Sequence, residues 1–187
     1  MNDMNEMQNL FDEIEKRLEK GAVTLVIEGP SASGKTTLSE MLRKKYDCTV
    51  FHMDDFFLRP EQRTPERYAE TGGNIDRERF LPEVLVPLKK GETVNYRRFD
   101  CFQMKLLEPV EIKPQKLTVI EGVYSMHPAF SGYYDFSVFL DITPELQKER
   151  ILKRNTPEKA DTKRFRRKIK RKARKLSSTN TGSKRRI

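Results

Sequence analysis

An α/β fold with a parallel sheet flanked by helices is predicted by three features of the sequence. Four short apolar runs rich in β-branched residues, AVTLVIE at 22–28, CTVFHM at 48–53, LTVIEG at 117–122 and FSVFLDI at 136–142, read as strands buried on both faces. A helical pattern follows the first of them before the second begins, and strand, helix, strand in that order implies a parallel pair. A chain of 187 residues, 36% of them hydrophobic, is long enough for one domain with a real core.

Leu10, Phe11, Ile14 and Leu18 recur at helical spacing ahead of Gly21, which predicts an N-terminal amphipathic helix ended by that glycine. The strand 22–28 comes next, then a glycine-rich loop, then TLSEMLRKKY with Leu38, Met41 and Leu42 on one helical face. After the second strand, residues 54–73 mix charges with Pro60 and Pro65 and read as loop and short helix around a site. DRERFLPEVLVPLKK at 76–90 is helical with a break expected at Pro82 or Pro87. Weak strand signals and several prolines over 91–116 suggest a small inserted hairpin or lid, and a last helix is expected from Pro144.

No apolar run approaches the roughly 20 residues that cross a bilayer, and the N-terminal stretch lacks an apolar signal region. A cytoplasmic protein without membrane contact is expected. Cys48 and Cys101 form no paired motif and read as idle or buried thiols. The net charge of +9 is concentrated at one end: residues 163–187 hold 13 Lys or Arg and no acid, while residues 1–162 hold 24 basic and 28 acidic residues, a net −4. The expected organisation is therefore a domain over 1–162 and a basic tail over 163–187. For the tail three readings stand: a polyanion-binding segment, a disordered one, or an altered reading frame replacing the usual C-terminal elements. Both a monomer and an oligomer are compatible with the sequence.

The loop carries the chemistry. Gly29 to Thr36 fits G-x-x-x-x-G-K-[ST], with a predicted strand before it and a helix after it, and so implies a P-loop NTPase fold. Gly29 and Gly34 let the backbone curl until its N–H groups point inward, toward the anionic phosphates of a nucleotide, ATP foremost. Gly29, Ser31, Ala32, Ser33, Gly34, Lys35, Thr36 and Thr37 are the expected nucleotide-binding residues. Lys35 would neutralise β- and γ-phosphate charge, and the Thr36 hydroxyl would hold Mg²⁺. Asp54 and Asp55 in HMDDFF stand just past the second strand, on the edge where open α/β sheets place ligands. A carboxylate there can accept a hydroxyl proton as general base or cap a turn; beside such a loop the first reading is favoured. Glu121, at the end of an apolar strand, is costly to bury unless a metal or a hydrogen-bond network uses it.

GPSASGKTT, MDDFF, GGNIDRERF at 72–80, YRRFDC at 96–101 and VIEGVYSMHP at 119–128 together resemble the uridine kinase family and its bacterial relatives, within the phosphoribulokinase and pantothenate kinase group. The resemblance spans roughly residues 20 to 155 and implies ATP-dependent phosphorylation of a primary hydroxyl on a small molecule, a nucleoside such as uridine or cytidine first. It places Asp54 at the catalytic aspartate, Asp76 on substrate hydroxyls, Phe99 and Asp100 in the acceptor pocket, and Glu121 near Mg²⁺ and substrate. Tyr124 is expected beside the substrate, and Arg150 and Arg154 are expected to act as lid arginines. Two departures stand out. Gln103 and Lys105 occur where the family has a pyrimidine-reading histidine, and the basic tail replaces the usual lid, helix and strand. The competing hypothesis is a nucleic-acid-binding P-loop ATPase that grips its partner through the tail.

Overall fold

The computed structural model describes residues 3–154; the basic tail 163–187 lies outside the described residues. Strand β1 (Val23–Glu28) runs through the middle of a four-stranded sheet, flanked by β7 (Leu117–Glu121) and β8 (Phe136–Phe139), with β2 (Thr49–His52) beyond β7. All three pairings are parallel. The alternation of the pleat sends neighbouring side chains of one strand to opposite faces. Val26 and Ile120 join one core with Phe51, Met53, Phe56, Phe80 and Phe130, while Leu25, Ile27, Leu117 and Val119 join the other with Ile14, Leu38 and Leu42. Burial on both faces is what made β1 and β7 read as unbroken apolar runs.

The last strand departs from that pattern. Among the described residues β8 has one neighbour; it alternates in burial, and Phe139 is 59% exposed. An edge strand needs only one buried face.

Helix α1 (Asp3–Leu18) and helix α2 (Lys35–Tyr46) pack on the second core. On α2 the buried positions are Lys35, Leu38, Ser39 and Leu42, so Met41 sits outside the face expected for it, at 43% exposure. Two i, i+4 pairs define the stripe, and position 41 falls off its flank. Past β2 come a 3₁₀ turn at Met53–Phe56, a second at Pro60–Gln62 and the short helix α3 (Pro65–Ala69).

The α-helical pattern is interrupted around Pro82, but the chain stays helical. α4 (Arg77–Phe80) passes through a π turn at Leu81–Leu85 into α5 (Val86–Lys90), with the Val86 N–H bonding the Leu81 carbonyl five residues back. The wider turn accommodates Pro82, and Pro87 falls in the first turn of α5. Residues 94–112 form two antiparallel ribbons, β3 (Val94–Tyr96) with β6 (Val110–Ile112) and β4 (Phe99–Asp100) with β5 (Lys105–Leu106), where a small inserted hairpin was expected.

Phe80 ties the first core together, its ring 4.9 Å from Phe56 and 5.2 Å from Phe130, both edge-on. Phe80→Ala is expected to cost about 3–5 kcal/mol of folding stability, read from denaturant unfolding. A first compact unit closes at Ile142. The second opens at Thr143, and its described part is helix α6 (Pro144–Arg154), whose first turn is capped by the Thr143 hydroxyl.

Candidate active site

In a parallel sheet the carboxyl ends of the strands share one edge. Here that edge gathers the loop after β1, His52 at the end of β2, and Glu121 at the end of β7. The two glycines of the loop are needed for different reasons. A Cβ on Gly29 would lie 2.3 Å from the Leu140 carbonyl oxygen and 2.8 Å from Ser33 Oγ, so no side chain fits. Gly34 has open space around it but a φ of 109°, in the region that glycine tolerates best. Ala32 accepts a φ of 66° in the same curl. α2 starts at Lys35, so its first N–H groups and positive end face the loop.

Lys35 is buried, and its ammonium donates to the carbonyls of Gly29 (2.7 Å) and Pro30 (2.8 Å), bracing the curl from inside. Ser31, Thr36 and Thr37 are exposed on the loop and first turn; Ser33 is half-buried. The Thr36 hydroxyl donates to Glu121 Oε1 at 3.1 Å. That bond joins the loop to the far side of the sheet edge.

Glu121 is buried, yet its carboxyl stays below the ordinary range: burial pushes it up, but hydrogen bonds from His52 and Thr36 and the charge of Lys35 outweigh that. His52, bonded to Glu121 Oε1 at 2.7 Å, is correspondingly raised, first by that bond. Asp54 lies exposed in the turn Met53–Phe56 and is raised above its ordinary value, by partial desolvation first and then by Glu121, with Lys35 opposing. Asp55 accepts from the Tyr96 hydroxyl at 2.7 Å. The same hydroxyl accepts from the His52 backbone N–H at 3.2 Å, so Tyr96 pins both ends of the segment that carries Asp54. Tyr96→Phe is expected to cost about 0.5–1.5 kcal/mol of stability, measured by denaturant titration, because Asp55 keeps access to solvent.

The strand ends are also in direct contact. Gly122 has a φ of 152°, and a Cβ there would sit 2.5 Å from Met53 Cβ.

The remaining expected residues are distributed unevenly. Asp76 is 1% exposed; it caps α4 through the Arg79 N–H and faces the guanidinium groups of Arg79 at 3.5 Å and Arg59 at 3.6 Å. Among the described residues its Oδ2 has no hydrogen bond despite those charges. Arg79 itself is buried over the Phe56 ring, 4.1 Å from its centroid. Phe99 is buried beneath the Arg63 guanidinium, 5.6 Å away. Asp100 holds its own turn, accepting from the N–H groups of Phe102 and Gln103 and from the Gln103 side chain at 2.8 Å. Tyr124, at a φ of 63°, packs its ring against Gly72, where a Cβ would come within 3.2 Å. Arg150 and Arg154 are exposed on α6, in the second unit.

His52 and Tyr96 were not anticipated. His52 stood inside the quoted HMDDFF, and the signal was its register: it is the Cα partner of Glu121 across β2 and β7. Tyr96 opened YRRFDC, but a phenol at the end of a weak strand carries no signature of its partners.

The donor set suits a magnesium–nucleotide rather than a metal alone. Among the described residues no group of three or more His, Cys, Asp or Glu forms a cage. One hydroxyl, one carboxylate and a phosphate cradle is the arrangement in which Mg²⁺ keeps waters and leans on substrate oxygens.

The structure of a possible uridine kinase from Bacillus stearothermophilus matches with a TM-score of 0.57 at 23% identity, over 81% of this chain and 96% of that one. A candidate fructose transport system kinase from Silicibacter matches with a TM-score of 0.60 at 25% identity, over 72% of each chain. The model of the phosphoribulokinase/uridine kinase family matches residues 24–172, from within β1 to past α6. With four-fifths of its length under that model and its phosphate loop, strand order and acidic edge in place, the chain belongs to the phosphoribulokinase/uridine kinase family and is a P-loop kinase.

Proposed function

We propose that the chain transfers the γ-phosphoryl group of ATP to a hydroxyl of a small molecule, with a nucleoside such as uridine or cytidine the leading acceptor. The observation that carries the reading is the Thr36–Glu121 bond, which ties the loop to the strand end against which the Asp54 turn is packed. ATP brings the transferable phosphoryl group, and Mg²⁺ neutralises the charge on it. The loop N–H groups, Lys35 and the α2 terminus would bind the phosphates, while Thr36 and Glu121 would hold the metal. Asp54 takes the proton of the acceptor hydroxyl as its oxygen bonds to phosphorus and the bond to the ADP oxygen breaks. Its raised value places it closer to neutrality than an ordinary aspartate, as a base needs. Arg150 and Arg154 act as lid arginines on the charge in transfer.

A sugar acceptor is the second reading. Gln103, at the position of a base-reading histidine, is spent on Asp100, and one structural neighbour is a candidate fructose transport system kinase. ATP consumption measured against nucleosides, sugars, pantothenate-like alcohols and RNA decides among them. Turnover with a small alcohol supports the kinase reading, and the preferred compound names the acceptor class. Stimulation by RNA alone would overturn it in favour of an ATPase that uses the basic tail. The reading carries a cytoplasmic location, where ATP is available; no helix among the described residues is long and apolar enough to cross a membrane.

A further inference from the structure

Glu121 Oε1 receives two hydrogen bonds, from the Thr36 hydroxyl at 3.1 Å and from His52 Nδ1 at 2.7 Å. A carboxylate can only accept, so the His52 proton on that side is fixed on Nδ1. Both bonds fall on Oε1, and among the described residues none reaches Oε2. The two strands place these side chains opposite each other, because His52 and Glu121 are Cα partners in parallel register. The His52 backbone is held in turn by the Tyr96 hydroxyl, itself buried against Phe51 and Phe56. The imidazole therefore sits on a fixed mount.

We propose that His52 is the positioning residue of Glu121: by occupying Oε1 together with Thr36 it locks the carboxylate rotation and offers Oε2 to the magnesium–nucleotide. The inference rests on the kinase reading for the identity of the ligand, and on the structure for the geometry. Without the imidazole the carboxylate is free to turn about its last bond, and Thr36 alone fixes one oxygen. Partners that orient a metal-facing ligand in this way are typically worth 10–100-fold in metal affinity.

The test uses the full chain, a fluorescent non-hydrolysable ATP analogue and a Mg²⁺ titration, with no acceptor and no turnover. His52→Gln and His52→Asn are compared with the parent protein. The Asn side-chain nitrogen reaches the place of Nδ1, whereas the Gln nitrogen reaches nearer the place of Nε2. His52→Gln is expected to raise the Mg²⁺ needed for half-maximal analogue binding by about tenfold or more, with Mg²⁺-free binding within about twofold of the parent. His52→Asn is expected to restore most of the difference. A role in packing alone would move both variants together and would shift Mg²⁺-free binding as well. The proposal is overturned if His52→Gln needs no more Mg²⁺ than the parent, or if Asn is as impaired as Gln. A parent protein whose analogue binding ignores Mg²⁺ would overturn both this and the kinase reading. One that binds in a Mg²⁺-dependent way yet phosphorylates no small alcohol would overturn the acceptor assignment and leave His52 in its role.

Discussion

Asp54→Asn is expected to lower phosphoryl transfer by roughly 10²–10⁴-fold while leaving ATP binding intact, the span for loss of a general base. Asn keeps the shape of the turn Met53–Phe56 and can no longer take a proton. Equilibrium binding of an ATP analogue and steady-state turnover, measured on the same preparation, separate the two effects; retained turnover would remove Asp54 from the role. The pH profile gives a second check. The Asp54 carboxyl is raised in the folded protein, so its basic form is gained at higher pH than that of an ordinary aspartate, and the acid limb of the parent's profile moves upward accordingly. Stability follows the opposite sign. A raised acid favours the fold in its protonated form, and that contribution is lost as pH rises through the folded value. Asp54→Asn, neutral throughout, is therefore expected to unfold at a higher temperature than the parent at neutral pH, with the gap closing toward acid.

Lys35→Ala is expected to reduce kcat/KM for ATP by roughly 10²–10³-fold, the scale of losing one preorganised charge in a transition-state site. It also removes the brace under the loop, because the ammonium bonds the Gly29 and Pro30 carbonyls, and about 1–3 kcal/mol of stability goes with it. A further effect links the two variants. Lys35 opposes the rise of Asp54 and helps lower Glu121, so its removal moves the residual acid limb to still higher pH. A limb that stays in place in Lys35→Ala would separate the lysine from the aspartate.

The sheet was legible wherever burial on both faces left a continuous apolar run, as in β1 and β7. It was less so at β8, where a single neighbour restores alternation and leaves Phe139 exposed. The helix over 77–90 defied its prolines because a π turn is a tertiary solution, and local propensity does not encode it. In the site, the loop could be read residue by residue, since each position of that motif has a backbone reason. Asp76 and Asp100 illustrate the limit. Both came from the family resemblance, and no local pattern shows that one is buried against two guanidinium groups while the other closes its own turn. His52 and Tyr96 depend on which strands lie side by side, and strand order is invisible in any local pattern.

The contact between Gly122 and Met53 bears on how the acidic edge responds to its surroundings. Two strand ends that touch where not one methyl group would fit form a mechanical stop. Ionic strength and protonation act on the bonds around Glu121 and His52, but they have no purchase on a contact between apolar atoms. Hard-core repulsion therefore sets the shortest distance between the Asp54 turn and the Glu121 strand, a limit that acid or high salt does not move.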